Sequence, residues 1–295
     1  MRHFKSFSSA DALCALFSDE SEEQDGSIVR EVPAVIKVFK TTLDDFRNRS
    51  EYIRDDPRFA NRLSKHNAGK LVKLWAEKEM YNLNRMQRAG IPCPHVLAYR
   101  KHVLVLSLIG TDGQPAPKLR DAVDALSAAA VTRLYRECML LVRSLYQDAR
   151  LVHADLSEYN ILYHEGRLVF IDVSQAVDIT HPRSLVFLHR DLTIMRTFFA
   201  NRNASGVLSP LQMIAFVTDM REDADKLDDY DALAEEARQR VSRLGLAVDV
   251  DERLTENRST DAEELVRVME VLLPNYWPPR LVDEHEHVDE GTVIV

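Results

Sequence analysis

Cysteine is scarce in this chain of 295 residues, which contains only Cys14, Cys93 and Cys138. Three cysteines that lie far apart lack the paired spacing of a disulfide framework or a zinc site. Such thiols suit a reducing compartment, and we therefore expect a cytoplasmic protein.

Long apolar runs are missing as well, since no stretch approaches the roughly 20 apolar residues that span a bilayer. Basic side chains near the amino terminus are followed by Asp11, which interrupts the apolar core that a signal peptide requires. The sequence therefore predicts no membrane partner.

Excess positive charge is also absent, because the formal net charge is −9. This balance disfavours non-specific binding of nucleic acid by the whole surface. The charge is unevenly distributed, however. From residue 41 to 90, eleven Lys and Arg residues stand against seven Asp and Glu residues, a local charge of +4. This segment could form one basic face.

The sequence does contain a concentrated set of polar residues in the stretch LVHADLSEYNILYHEGRLVFIDVSQ, residues 151–175. Its pattern predicts strand, loop, strand, turn and strand. Asp155 and Asn160 flank the loop, and Asp172 follows the second apolar run, so a hairpin would bring all three side chains to one end of a sheet. Oxygen ligands without thiols suit a hard cation such as Mg²⁺, completed by substrate phosphates.

Each of these residues alone has a simpler explanation, because Asp, Ser and Asn are ordinary turn formers. The ordered set H-x-D-x-x-x-x-N, then a strand, then Asp, is what phosphoryl transfer uses. Asp155 would accept the hydroxyl proton, and Asn160 and Asp172 would hold the metal. We expect His153 to pack beneath the loop rather than to act as a base.

The apolar strand VPAVIKVF contains Lys37, and a buried lysine is costly unless it is paired. An edge strand with Lys37 in solvent is the alternative. A helix is predicted over Leu71 to Arg88, with Glu79 on its apolar stripe and Glu77 pointing away. We therefore pair Glu79 with Lys37.

The remaining pattern is mostly helical after residue 110. We expect a short helix that is capped by Ser8 or Ser9 and runs through Phe17, then a solvated acidic loop over Ser18 to Asp25. Further elements are predicted as strands at 96–99 and 102–109 and helices at 127–150, 183–199, 209–218 and 222–244, with another helix after the capping box at 260–263.

Together these segments resemble the RIO kinases, a family of atypical serine/threonine protein kinases. HADLSEYNILYH and IDVSQAV are similar to the family's catalytic and metal-binding segments, with Ala154 where ordinary kinases have Arg. The resemblance covers roughly residues 28 to 220 and is strongest to the third RIO subfamily. It extends through IKVFKTTLDDFRNRSEYIRDD, WAEKEMYNLNRMQRAGIPCP, HVLVLSLIG, PAPKLRDA and HPRSLVFLHRDL.

The resemblance implies a two-lobed α+β fold of the protein-kinase type, with a small sheet lobe and a larger, mainly helical lobe. The expected divisions are a poorly defined segment 1–27, a partial small lobe 28–109 with a basic insertion 41–69, a large lobe 110–220, a helical extension 221–273 and a disordered tail 274–295.

The resemblance also implies an ATP and Mg²⁺ site. Lys37 would hold the phosphates, oriented by Glu79, and would count with Asp155 and Asp172 as catalytic. Leu106 would be the gatekeeper before the hinge. Further implied roles are Ser107 and Ile109 as adenine-binding hinge residues, Asn160 and Asp172 as metal ligands, and Asp172 as an alternative phosphate-accepting nucleophile.

Glycine is scarce where the family has a phosphate-covering loop, since the chain has nine glycines and none before Gly26. Ser8 to Ala12 stands in that place without Gly or Lys and with an acidic side chain, which would repel a triphosphate. We therefore expect the first two strands to be missing or degenerate and the small lobe to be truncated.

Two functions remain open. The first is Mg-ATP-dependent transfer to Ser/Thr hydroxyls, or ATP hydrolysis, which the resemblance places in small ribosomal subunit maturation. The second is a catalytically weak or inactive, nucleotide-gated adaptor on pre-40S ribosomal particles or signalling complexes, docking through the basic segment 41–90. A small-molecule phosphotransferase shares the Asp/Asn/Asp pattern but not the RIO-like segments.

Overall fold

The computed structural model describes residues 2–3, 10–23, 26–40, 56, 58–59, 68–219, 229–245, 267–268 and 271–272. These residues form a small sheet lobe followed by a mainly helical lobe, which confirms the predicted two-lobed α+β class. No helix within these ranges is long and apolar enough to cross a membrane.

The small lobe is a five-stranded antiparallel sheet in the order β1-β2-β3-β5-β4. β3 is central, pairing with β2 on one side and with β5 on the other, where Lys37 lies opposite Leu104. The strands are β1 (Arg2–His3), β2 (Ala10–Glu23), β3 (Gly26–Phe39), β4 (Val96–Arg100) and β5 (Val103–Ser107).

The amino-terminal region differs from the sequence-based prediction. Ala10–Glu23 is a strand that pairs with β3 over its whole length, so the predicted helix ending at Phe17 and the predicted loop from Ser18 are both wrong. Only three apolar residues suggested the helix, whereas β3 offers a partner rich in Val and Ile, and pairing overrides weak helical spacing. The second strand is therefore present, while the described part of β1 has two residues.

Helix α1 (Ala68–Arg88) packs on the sheet between β3 and β4, as its apolar stripe predicts. Trp75, Leu83 and Met86 are buried, and so is Glu79. Gly90 adopts a φ of 71°, and the Ile91 N–H donates to the carbonyl oxygen of Met86, which ends the helix with a left-handed cap.

The two lobes are connected by a tight hairpin of β6 (Gly110–Thr111) and β7 (Gln114–Pro115). Gly110 is needed there because a Cβ atom would overlap the carbonyl oxygen of Gln114. The lobe boundary near residue 110 and the outer domain limits stay predictions.

Short strands and α2 (Leu119–Ala122) line the cleft side of the large lobe. The strand β8 (Leu151–Val152) pairs with β11 (Val177–Asp178), and between them β9 (Ile161–His164) and β10 (Arg167–Phe170) form an antiparallel hairpin. The predicted hairpin in 151–175 is therefore present.

Four further helices build the core of the large lobe: α3 (Ala128–Gln147), α4 (Ser184–Ala200), α5 (Pro210–Thr218) and α6 (Tyr230–Arg243). α3 leads into β8 and buries Tyr135 and Cys138. α5 begins with the capping box of Ser209 and Gln212 and is almost entirely buried, as expected for a helix that is apolar on all sides.

α6 is charged on one face, but its other face packs on α5 through residues such as Tyr230 and Leu233, so it is not simply a surface helix. Its described start is Tyr230, and residues 220–228 lie outside the described ranges. Most of the predicted insertion 41–69, most of the helix after 260 and the whole tail 274–295 also lie outside them.

Candidate active site

A cavity of about 390 Å³ lies between the two lobes. This volume is within the range of small-molecule binding sites, which is roughly 300–1,000 Å³. Five of the predicted site residues line it in the small lobe and hinge, and two line it in the large lobe: Lys37, Glu79, Leu106, Ser107, Ile109, Asn160 and Asp172.

Lys37 lies at the inner wall of this cavity with only 8% of its surface exposed. Its Nζ atom donates to Glu79 Oε1 at 2.9 Å and to Asp172 Oδ1 at 2.8 Å. The predicted pairing of Lys37 with Glu79 is thus present. The edge-strand alternative is wrong because β3 has a partner strand on each side.

Lys37 donates to two carboxylates, Glu79 and Asp172, whose environments differ. Burial raises the pKa of Glu79 to about 7, although the Lys37 charge opposes this shift. Burial acts in the same direction on Asp172, but the Lys37 charge and the hydrogen bonds from Lys37 and Ser174 outweigh it and lower its pKa to about 2. Asp172 is therefore held ionised beside the cavity at neutral pH.

The loop between β8 and β9 holds Asp155 and Asn160 against each other. Asn160 Nδ2 donates to the Asp155 carbonyl oxygen at 2.8 Å and lies 3.4 Å from Asp155 Oδ2. Gln175 Nε2 donates to the same carboxylate oxygen at 2.8 Å. The backbone N–H of Ile171 donates to the Asn160 carbonyl oxygen at 3.0 Å, which ties this loop to the segment that carries Asp172.

Two residues of this site adopt left-handed backbone conformations without being glycine. Ala154 has a φ of 63° and Asp172 a φ of 56°. Each such residue costs roughly 1–3 kcal/mol and persists where the surroundings fix it, often at functional sites. At Ala154 the surroundings are Asp191, whose carboxylate accepts from the N–H groups of Ala154 (2.7 Å) and Leu156 (3.1 Å), and Arg190, which donates to the Ala154 carbonyl oxygen.

The donor chemistry at Asn160 and Asp172 fits magnesium. Asn160 uses its amide nitrogen toward Asp155, so its oxygen is the atom that could coordinate a cation. Mg²⁺ is usually held by one or two carboxylates plus substrate phosphates rather than by a complete protein cage. The described residues contain no cluster of three or more His, Cys, Asp or Glu side chains that could hold a metal ion.

The predicted hinge lies at the edge of the same cavity. Leu106 is buried, and Ser107 is fixed by a backbone bond to the His95 carbonyl oxygen and by a side-chain oxygen that accepts from the His95 N–H. The carbonyl oxygen of Ile109 accepts from the Ala116 N–H at 2.9 Å. The positions of these residues suit adenine binding, and their roles remain predictions.

A family model described as the RIO domain matches residues 17–211 of this chain. The chain belongs to the RIO family. It is 46% identical over 213 residues to the serine/threonine-protein kinase RIO3 of Homo sapiens, an alignment that covers 72% of this chain and 40% of that protein. It is 40% identical over 195 residues to the serine/threonine-protein kinase RIO1 of Homo sapiens, covering 66% of this chain and 34% of that protein.

The chain thus spans about 40% of the length of the RIO3 relatives that it matches. Among solved structures, it is similar to the Rio2 kinase from Chaetomium thermophilum, with 20% identity and a TM-score of 0.44 over 78% of this chain and 73% of that one. The sequence relatives confirm the predicted family and its closeness to the third subfamily.

Among the cavity-lining residues that the sequence did not assign, three carry polar groups: Lys118, Asp121 and Tyr159. Lys118 Nζ lies 5.7 Å from the centre of the Tyr159 ring, and partial burial lowers the pKa of its amine. The sequence of PAPKLRDA shows only a similarity to the family. Nothing in its local pattern predicts that this segment lines the cavity.

His153 packs beneath the loop, as predicted. It is 1% exposed, with Nε2 at 3.2 Å from the Ile171 carbonyl oxygen and its ring edge-on to Phe170. Burial lowers the pKa of this imidazole to about 4, so it is neutral at physiological pH. A neutral, enclosed imidazole supports the loop and is poorly placed to act as a base.

Replacing Asp191 with Ala should destabilise the RIO domain by about 2–4 kcal/mol at pH 5, because two buried N–H groups lose their acceptor. Burial raises the pKa of Asp191 to about 7. The folded protein therefore holds this proton more tightly than the unfolded chain, and the contribution of Asp191 to stability declines as pH rises from about 4 to 7. Urea unfolding should show a smaller loss at pH 8 than at pH 5.

The matched control is Asp124→Ala, since the Asp124 side chain is 70% exposed. It should change the free energy of unfolding little at either pH. An Asp191→Ala variant that unfolds like the control would contradict the anchoring role of Asp191.

Proposed function

We propose that this RIO domain transfers the γ-phosphoryl group of Mg-ATP to Ser or Thr hydroxyls, or to water by the same groups. The observation that carries the proposal is the position of Lys37, held between Glu79 and Asp172 at the wall of the cavity. Phosphoryl transfer depends almost entirely on positioning and charge stabilisation, which is what such an arrangement supplies.

Lys37 would bind the ATP phosphates as a fixed cation. Its two carboxylate partners raise the pKa of the Lys37 amine above its ordinary value, despite the opposing effect of burial, so it stays charged. Glu79 directs the amine toward the cavity because α1 holds that carboxylate fully buried. Leu106, Ser107 and Ile109 would enclose the adenine at the outer end.

Asp155 would position the attacking hydroxyl and accept its proton. The loop that carries it is fixed at the backbone by Asp191 and at the side chain by Asn160 and Gln175. Asn160 and Asp172 would hold the metal with their oxygens. Bound Mg²⁺ would supply neutralisation of the phosphate charge that develops during transfer.

The place of this activity in the cell belongs to the same proposal. The resemblance to RIO kinases supports a role in small ribosomal subunit maturation in the cytoplasm, and the local charge of +4 in residues 41–90 supports contact with a ribosomal particle. Anionic RNA attracts such a basic segment even when the whole protein is acidic.

A second candidate, a nucleotide-gated adaptor, is favoured by one specific contact. Arg58, which belongs to the basic segment, donates two hydrogen bonds to the Asp56 carboxylate and a further one to Asn82 Oδ1 at 2.9 Å. Asn82 in turn donates to the carbonyl oxygen of Val173, beside Asp172. A partner bound to the segment would therefore be linked to the metal site without any need for phosphoryl transfer.

The test is calorimetric titration of the wild-type chain with ATP, with Mg²⁺ and after removal of metal by EDTA. Ionic strength is held constant with NaCl so that screening does not change between the two conditions. We expect ATP affinity to fall several-fold without Mg²⁺, because the phosphates would then face Asp172 without a neutralising ion. Phosphate release and transfer to a Ser/Thr-containing protein are measured on the same sample.

The outcomes separate the candidates. Metal-dependent ATP binding with turnover supports the kinase or ATPase. Metal-dependent binding without turnover supports the adaptor. No binding of ATP, or equal affinity with and without Mg²⁺, would contradict both.

A further inference from the structure

Gln175 contacts the proposed proton acceptor, Asp155, directly. Its Nε2 atom donates to Asp155 Oδ2 at 2.8 Å, across 20 residues of sequence. The longer contact from Asn160 Nδ2, at 3.4 Å, reaches the same oxygen. Both donors therefore act on one side of the carboxylate.

The backbone around Gln175 is fixed by α1. Lys78 Nζ donates to the Gln175 carbonyl oxygen at 3.3 Å. Asn82 Nδ2 donates to the carbonyl oxygens of Val173 at 2.8 Å and Ala176 at 3.1 Å, on either side of Gln175. Lys78 and Asn82 are both fully buried, and the two bonds from Asn82 are buried as well, so these two are shielded from competing water.

The orientation of the Asn82 amide is fixed in turn. Its oxygen accepts from Arg58 NH1 at 2.9 Å, and Arg58 is itself held by two bonds to the buried carboxylate of Asp56. Because the oxygen is bound to a donor, the nitrogen must face the carbonyl groups of the 173–176 segment. The segment thus has little freedom to move the Gln175 side chain away from Asp155.

We propose that Gln175 is a positioning residue, whose amide fixes the rotation of the Asp155 carboxylate relative to the attacking hydroxyl group. The proposal rests on the function proposed above. Hydrogen bonds to an ionised acceptor are about twice as strong as neutral ones, and they restrict orientation as well. Gln175 itself need not touch ATP or the hydroxyl group.

Replacing Gln175 with Ala should lower kcat about 10- to 100-fold, the range expected from loss of one hydrogen bond to a charged group. ATP affinity measured by calorimetry and the thermal midpoint of unfolding should stay near wild type, because Lys37 and the backbone bonds of the segment remain. The matched control is Gln147→Ala. Gln147 is likewise a half-buried glutamine whose side-chain amide donates hydrogen bonds, but its acceptors are the backbone carbonyls of Val217 and Asp219 rather than a residue of the site.

Gln175→Glu gives a sharper test through the pH profile of kcat. Two carboxylates at hydrogen-bond distance share one proton, and they titrate as a pair. At mildly acidic pH, a protonated Glu donates to Asp155 as the amide does, so activity should recover toward wild type. As pH rises, the pair loses that proton and the two carboxylates repel each other. The kcat of Gln175→Glu should therefore fall over this pH range, whereas the kcat of wild type and of Gln175→Ala should show no such decline.

The positioning role is supported if Gln175→Ala has a lower kcat with unchanged ATP affinity, and if the kcat of Gln175→Glu recovers at acidic pH. It is overturned if Gln175→Ala keeps the wild-type kcat, if Gln175→Glu has the wild-type pH profile, or if kcat and ATP affinity fall together. Absence of ATP turnover in the wild-type chain would overturn the proposed function as well, whereas normal wild-type turnover with an unaffected Gln175→Ala variant would remove only the role of Gln175.

Discussion

Asp155→Ala should lower ATP turnover by about 10²–10⁴-fold, the range that a positioned general base contributes. Mg-ATP affinity should change little, because Asp155 faces the hydroxyl group in our mechanism and Lys37, Asn160 and Asp172 remain to bind the nucleotide. The measurement combines steady-state phosphate release with calorimetric titration of Mg-ATP. Turnover that survives this change would contradict the assignment of Asp155.

A second variant, Asp172→Asn, should be impaired in a different way from Asp155→Ala. It removes the ionised carboxylate that would bind the metal, and it also removes a charged partner of Lys37. Turnover should fall as far as in Asp155→Ala, but here the difference in ATP affinity between Mg²⁺ and EDTA should disappear. If the metal dependence of binding persists in Asp172→Asn, Asp172 is not the main metal ligand.

Lys37→Met should have the second large effect, on both stability and activity. It leaves Glu79 and Asp172 without the cation that lies between them, and removing one partner of a buried ion pair costs about 3–5 kcal/mol. ATP turnover should fall by about 10²–10³-fold, as when one preorganised electrostatic contact is lost. Urea unfolding and phosphate release measure the two effects on the same protein.

A double variant separates these effects. Lys37→Met with Glu79→Leu replaces the buried pair by apolar side chains, which is often neutral or stabilising. Asp172 then keeps its bond from Ser174 and partial contact with solvent. We expect the double variant to recover most of the lost stability and none of the lost turnover. Recovered turnover would show that Lys37 acts only as a structural residue.

Local sequence patterns predicted those parts of the site that depend on one element. The apolar stripe of α1 identified Glu79 as the inward carboxylate, because helical spacing alone determines which residues share a face. The short apolar runs and turn-forming residues around Asp155, Asn160 and Asp172 likewise predicted a loop and a hairpin, because both depend on residues close together in sequence. These assignments needed no knowledge of what lies across the cleft.

Contacts between distant segments could not be predicted in this way. Lys37 and Asp172 meet across 135 residues, and Asp191 reaches Ala154 across 37. Neither periodicity nor turn chemistry reports such pairs, since both describe only a few neighbouring residues. The strand β2 was missed for the same reason, because its extended conformation depends on pairing with β3 rather than on its own weak pattern.

One helix holds both halves of this site. On α1, Glu79 holds Lys37 of the sheet, while Lys78 and Asn82 hold the segment after Asp172, and Arg85 binds Asp178 at 2.8 Å. A rigid helix cannot release one of these groups by moving and keep the others. Displacement of α1 should therefore remove the Glu79 bond to Lys37 and the bonds to the segment after Asp172 together, which would leave the direct Lys37–Asp172 bond as the remaining hydrogen bond among these between the two halves of the site.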